Sequence, residues 1–324
     1  MILVSVIIPC YNVELYINEC LNSVYSQSYK DLEVIAIDNN SSDNTLNILE
    51  KYRSANDVNL LILIENNQGA PAARNKGLKL ASGKWIQFLD ADDILRPDKI
   101  SHQIELISKS PSTINFVAGA FYKQKVSAEK ALLLPSKDLL KGLFSTQLGI
   151  TSANLWNREY LDSAGGWKNS LKSSQEYDLM FRLLKCNSQV IIDETPLTIV
   201  RERKTGQISQ RNPVEKWKQY IDLRYSILKY IQEHRQEYFE QEAAWYYQAL
   251  IENLVTLAKY DYLYANKIHS IAIPKKFRVV PSGGISNVYV KIHNELGYAI
   301  ANRLIYFKNK WFRLSFRIII KQSF

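Results

Sequence analysis

The chain has 324 residues, 46% of them hydrophobic, which is enough to bury a sizeable core and more than one domain usually needs, so one large domain with an appendage is expected. Its three cysteines, Cys10, Cys20 and Cys186, are odd in number, far apart and without paired metal-ligand spacing, which excludes a disulfide framework or a structural zinc and fits reduced thiols in the cytoplasm. The formal charge of +9 brings nucleic acid and membranes into question as partners, and its distribution decides between them.

Residues 2–8 are apolar but lack a basic leader and stop at Pro9, so they read as a buried strand and not a signal peptide. After VSVIIP, Ile17, Cys20, Leu21 and Val24 recur at helical spacing, and LEVIAID supplies a second strand ending on Asp38. Ser41 or Ser42 is expected to cap the next helix. LLILIE is a third strand; Gly69 and Pro71 then punctuate a helix through AARNKGLKLA, with Pro71 suited to its first turn. KWIQFLDADD is a fourth strand that delivers Asp90, Asp92 and Asp93 to its carboxyl end, where open α/β sheets bind ligands.

Further along, INFVAGAFY, QVIIDE and LTIVRE read as strands, and EYDLMFRLLKC as a helix with Leu179, Met180, Leu183 and Leu184 on a core-packing face. From Pro213 the pattern changes to long, aromatic-rich helices, so a boundary near residue 212 separates an α/β domain (1–212) from a helical, basic region (213–324). The longest apolar stretches fall short of a membrane span, so a soluble or peripheral protein is expected.

Two carboxylates two residues apart at a strand end suit a hard divalent cation, Mn²⁺ or Mg²⁺, which neutralises charge on a departing diphosphate. Short acidic runs are also common as solvated turns, so the pattern alone is weak. Four segments in order, VSVIIPCYN, AIDNNSSDNT, ENNQGAPAARNKGLKLASGKWIQFLDADD and GGWKNSLKSSQEYDLMFRLL, give it context. Together they resemble glycosyltransferase family 2 over roughly the first two-thirds of the chain. The resemblance implies the nucleotide-binding GT-A fold, a Rossmann-like mixed sheet flanked by helices, here with a helical C-terminal extension. It also implies a nucleotide-diphosphate sugar donor and inversion at the anomeric carbon.

Carried over position by position, the resemblance assigns Pro9, Tyr11 and Asn12 to the loop lining base and ribose, and Asp38 to reading the base, with uridine favoured. Asn39 and Asn40 depart from the Asp and Gly common there. Arg74 either bonds the diphosphate or pins the acidic loop. Asp90 faces the ribose side and Asp92 the cation, while Glu176 is the base that takes the acceptor proton. Gln175 stands where the family commonly has the first acid of a pair. RERKTGQISQRN, with Arg201, Arg203 and Lys204, resembles the loop that closes over the diphosphate, and Asn154 and Trp156 lie where the family contacts acceptor.

The tail from Lys291 carries seven basic residues against Glu295 alone, interleaved with Trp311, Phe312 and Phe316, a composition suited to an anionic membrane surface. A helix packed on the catalytic domain has the same pattern. No recognised RNA- or DNA-binding module accompanies the charge, so nucleic acid is not an expected partner. The picture is a cytoplasmic transferase, peripheral on the inner face of the plasma membrane, acting on a glycan or lipid-linked acceptor in bacterial cell-surface polysaccharide synthesis. Two alternatives stand beside it. One is an inactive relative that binds sugar nucleotide or scaffolds at a membrane. The other is a sugar nucleotidyltransferase, although PCYNVELY lacks the glycine-rich phosphate loop that such enzymes carry.

Overall fold

The computed structural model describes residues 2–203, 212–304 and 306–307. The chain divides into two compact units, Met1–Leu171 with Gln175–Gln207, and Lys172–Ser174 with Ile208–Phe324. Lys204 and the basic aromatic tail from Lys308 lie outside the described residues.

The first unit contains β1 Val4–Cys10, α1 Ile17–Tyr25, β2 Leu32–Asp38, α2 Thr45–Asn56, β3 Leu60–Ile64, α3 Ala70–Leu80, β4 Trp85–Phe88, β5 Ile94–Leu95 and α4 Lys99–Ser108. It continues with β6 Phe116–Gly119, β7 Phe121–Gln124, β8 Lys130–Leu133, α5 Leu139–Ser145, β9 Leu155–Asn157, α6 Arg158–Ser163, α7 Gln175–Cys186, β10 Val190–Asp193 and β11 Thr198–Arg201. Seven strands form one sheet in the order β10-β6-β9-β4-β1-β2-β3, and four form a small second sheet, β5-β11-β7-β8. In the large sheet only β9 runs antiparallel to its neighbours. The result is a mixed sheet with covering helices.

The parallel strands are near-continuous apolar runs because helices cover both faces of such a sheet, and β1 has a single residue, Pro9, that is not fully buried. On α1 the residues Ile17, Cys20, Leu21 and Val24 all turn inward. Helix α3 begins with Pro in its first turn, where a missing N–H costs nothing. It lies so close to the sheet that a Cβ on Gly77 would come within 2.5 Å of Ile7 and 2.9 Å of Ile37, so only glycine permits the contact. The cap expected at Ser41 or Ser42 is not there. Helix α2 starts at Thr45, and it is Asp43 that accepts from the Thr45 amide, because both serines are turned toward Asn12.

Charge also enters the core. Lys99 is 1% exposed, donating to the Gln87 side chain and, at 3.4 Å, to the Asn154 carbonyl, and burial lowers its pKa to about 7.

The second unit is helical: α8 Pro213–His234, α9 Gln236–Ala258, α10 Tyr262–Ala272 and α11 Asn287–Leu296. Its core uses one stripe per helix, for example Ile221, Ile227, Leu228 and Ile231 on α8 and Leu250, Ile251, Leu254 and Leu257 on α9. The Asp261 side chain caps α10 by accepting from the Tyr264 amide at 2.9 Å. Among the described residues no helix is long and apolar enough to cross a membrane.

Candidate active site

Strands β1, β2 and β4 are parallel neighbours, so their carboxyl ends open on one edge of the sheet, with β1 at the point where the order of connection reverses. Pro9, Tyr11 and Asn12 follow β1, Asp38 ends β2, and the acidic run follows β4.

Asp38 is 4% exposed; its Oδ2 accepts from the Ser41 amide at 3.3 Å, while its Oδ1 is buried without a hydrogen-bond partner. A buried carboxylate oxygen left unpaired is costly unless a ligand N–H completes it. Around it the two asparagines that replace the usual residues do definite work. The Asn39 amide donates to the carbonyls of Glu65 (2.7 Å) and Asn67 (2.8 Å) and accepts from the Gly69 amide (2.6 Å), locking the start of α3 to the end of β2. Asn40 has φ 61°, the left-handed region, which asparagine tolerates better than other side chains do, so the turn a glycine would make is kept. Asn12, at φ 49°, accepts from the Ser42 amide at 2.8 Å and ties the two loops together.

The acidic run is held by three arginines. Arg74, 5% exposed on α3, pairs with Asp90 at 2.5 Å, donates to Gln175 at 3.4 Å and stacks 4.5 Å over the Trp167 ring. Trp167 in turn belongs to an edge-and-stack cluster with Phe88, Phe116 and Trp156. Arg203 pairs with the Asp92 carboxylate; Arg201 donates its side chain to the Asp92 carbonyl and Glu19, and its amide to Asp93 at 3.1 Å. Both lie over the Tyr16 ring, at 5.3 Å for Arg201 and 5.5 Å for Arg203. Asp93 also accepts from the Ser152 hydroxyl at 2.6 Å, and burial, with Asp92 and Asp90 close by, raises its pKa well above the usual carboxylate range.

Gln175 and Glu176 open α7, and Gln175 also donates to the Leu171 carbonyl at 2.9 Å. Through Arg74 the start of α7 is therefore joined to Asp90, and Glu176 is half-buried there. Asp178 turns away, paired with Lys168 at 2.7 Å and Arg182 at 2.8 Å.

Asn154 and Trp156 are enclosed side chains. Both are 0% exposed: Asn154 accepts from the Gly119 amide at 3.0 Å and donates to the Leu148 carbonyl at 3.0 Å, and Trp156 fills the aromatic cluster. The motif that carries them builds the floor beneath the acidic loop. Ser152, from that motif, and Tyr16 and Glu19, from the segment after β1, were not singled out by the sequence, since their contacts span some 60 to 180 positions.

The fit to a divalent cation can be judged from the donor set. Among the described residues no group of three or more His, Cys, Asp or Glu side chains could hold a metal ion. Small hard cations are commonly held by one or two carboxylates with the remainder from substrate phosphates and water, and the Asp92 side chain is 18% exposed, open to such a role. The residues fit a cation that arrives with a diphosphate.

Known proteins resemble this chain in sequence and in fold. Among curated relatives, TuaG of Bacillus subtilis is 37% identical over 122 residues (38% of this chain, 48% of that protein). The Escherichia coli UDP-Glc:alpha-D-GlcNAc-diphosphoundecaprenol beta-1,3-glucosyltransferase WfaP is 42% identical over 107 residues (32% of this chain, 41% of that protein). The chain thus spans less than half the length of these relatives. Of solved structures, residues 1–349 of S. aureus TarS in complex with UDP-GlcNAc superpose with a TM-score of 0.62 at 17% identity, covering 95% of this chain and 92% of that one. The mannosyltransferase PcManGT of Pyrobaculum calidifontis, in complex with GDP-Man and Mn²⁺, gives 0.54 at 18% identity, covering 94% and 86%. These likenesses establish the GT-A fold. The profile of Glycosyl transferase family 2 matches residues 5–162, so the chain carries a family 2 glycosyltransferase domain over that span.

Proposed function

We propose that the chain is an inverting, cation-dependent transferase that moves a sugar from a UDP-linked donor to a hydroxyl of a glycan or lipid-linked acceptor in bacterial cell-surface polysaccharide synthesis. The observation that carries this reading is Arg74, which joins Asp90 of the acidic loop to the first turn of α7, where Glu176 stands. Donor-binding and proton-accepting groups are thereby held on one framework, as an in-line displacement requires.

In that reaction the acceptor oxygen attacks the anomeric carbon as its proton passes to the Glu176 carboxylate, and the bond from that carbon to the diphosphate breaks on the opposite face. Asp38 Oδ1 accepts from the base, which completes its unpaired oxygen. Asp90 is oriented toward the ribose by Arg74. Asp92 holds the cation, which when bound supplies Lewis-acid stabilisation of the departing diphosphate. Arg201 and Arg203, already at the acidic loop, supply further positive charge. The UDP and UDP-sugar complexes of similar folds, and the Mn²⁺ of PcManGT, support the choice of donor and cation. The lipid-linked acceptor in the name of WfaP supports the acceptor class. Attachment to the inner leaflet through the basic aromatic tail completes the proposal.

Glycosyl transfer is tested by offering UDP-linked sugars and acceptor to the purified protein and reading the anomeric configuration of the product by NMR. Inverted product supports the mechanism; retained configuration contradicts it.

A further inference from the structure

Asp92 is the carboxylate assigned to the cation, yet in this structure its Oδ2 holds the Arg203 guanidinium. A cation and a guanidinium on one carboxylate bring like charges together, so one must leave before the other binds well. The pair is only partly shielded from solvent, with side-chain exposures of 17% for Arg203 and 18% for Asp92. The backbone just before Arg203 is fixed: the Arg201 amide is bonded to Asp93, its side chain to the Asp92 carbonyl and Glu19, and the Glu202 amide to the Gln124 carbonyl at 2.9 Å. The Arg203 side chain, beside the Tyr16 ring, is thus carried on a chain anchored as far as Glu202, and its own bond to Asp92 is the one that a cation would replace. A planar guanidinium suits bidentate contact with phosphate as well as with carboxylate.

We propose that Arg203 is a positioning residue that stands in for the cation on Asp92 and passes to the donor diphosphate when the cation arrives. The cation then binds with the donor and only weakly before it. This rests on the assignment of Asp92 to a cation made above.

The test measures Mn²⁺ binding by the loss of the free-ion EPR signal, first with Mn²⁺ alone and then with UDP, for the wild type and for Arg203→Gln and Arg203→Lys. The exchange predicts opposite shifts in Arg203→Gln: Mn²⁺ alone binds about five- to tenfold more tightly, and Mn²⁺ with UDP binds more weakly by a similar factor. Arg203→Lys keeps the charge, so Mn²⁺ alone should bind as in the wild type while the UDP complex weakens. An unchanged or weaker affinity for Mn²⁺ alone in a folded Arg203→Gln protein overturns the exchange even if the UDP complex weakens. Absence of Mn²⁺ binding by the wild type with UDP present overturns the cation assignment itself, which separates the two failures.

Discussion

The acidic loop and the lysine pocket beneath it both take charge out of water, and they do so by opposite means. At the loop, Asp90 and Asp92 each meet an arginine and stay partly exposed. In the pocket, Lys99 is enclosed and meets mainly amide groups, Gln87 and the Asn154 carbonyl, with Asp193 contributing only at longer range. A lone buried charge gives way by shifting its pKa. The two are joined by one segment, since Ser152 accepts from the Asp90 amide and Gln87 donates to the Ser152 carbonyl. Buried charge that lacks an ion-pair partner shifts in both regions, Asp93 at the loop upward and Lys99 in the pocket downward.

The comparison breaks most visibly at Glu176. Glu176→Gln is expected to lower transfer by about 10³- to 10⁴-fold with donor affinity within about twofold, since a general base acts only on the chemical step. Steady-state transfer beside calorimetric titration of UDP checks this, and full activity in the variant would remove the proposed base. Arg74→Met comes next: it should lower transfer about 10²-fold through misplacement of Asp90 and α7. It should also cost about 1–2 kcal/mol of stability, a moderate figure because the Asp90 side chain is 34% exposed. Activity and urea midpoint measured on one preparation separate the two effects.

Lys99 gives the opposite profile, in stability and not in turnover. Its folded pKa of about 7 lies below the ordinary 10.5, so between those values the unfolded chain binds more protons and stability rises with pH. The burial cost is fully present below pH 7 and relieved by about pH 10.5. Lys99→Met should remove this rise, so the difference between wild-type and variant stability should change by a few kcal/mol across that window. Parallel slopes for the two proteins would show that Lys99 does not titrate there.

The smallest effect is expected at Asn40. Asn40→Ala should cost about 1 kcal/mol, because alanine resists φ 61°, while Asn40→Gly should stay within about 0.5 kcal/mol of the wild type. Equal losses in the two variants would mean that the Asn40 bond to the Asn66 carbonyl, at 2.8 Å, matters more than the backbone conformation.

Much of this was legible in the sequence because it is local. The parallel strands are near-continuous apolar runs, the α3 start carries its Pro, and one residue separates the acidic triplet from its strand. What escaped depends on distant partners. Nothing in SSDNT says that Asn12 draws both serines away from a cap and leaves the role to Asp43. The enclosure of Asn154 and Trp156 depends on Gly119, Leu148 and Phe116, which no local pattern places around them. The four residues Lys130–Leu133 carry no alternation that marks a strand, yet they pair antiparallel with β7 as an exposed edge. The pairing of Arg203 with Asp92 spans 111 positions, and no local pattern announces it.

The measurement that bears most directly on the central claim is a calorimetric titration of the purified protein with UDP-linked and GDP-linked sugars, in Mn²⁺ and in chelator. Cation-dependent binding of a UDP-sugar, abolished by Asp92→Ala in a protein that remains folded, is the predicted result. Failure of every nucleotide sugar to bind under either condition would contradict it.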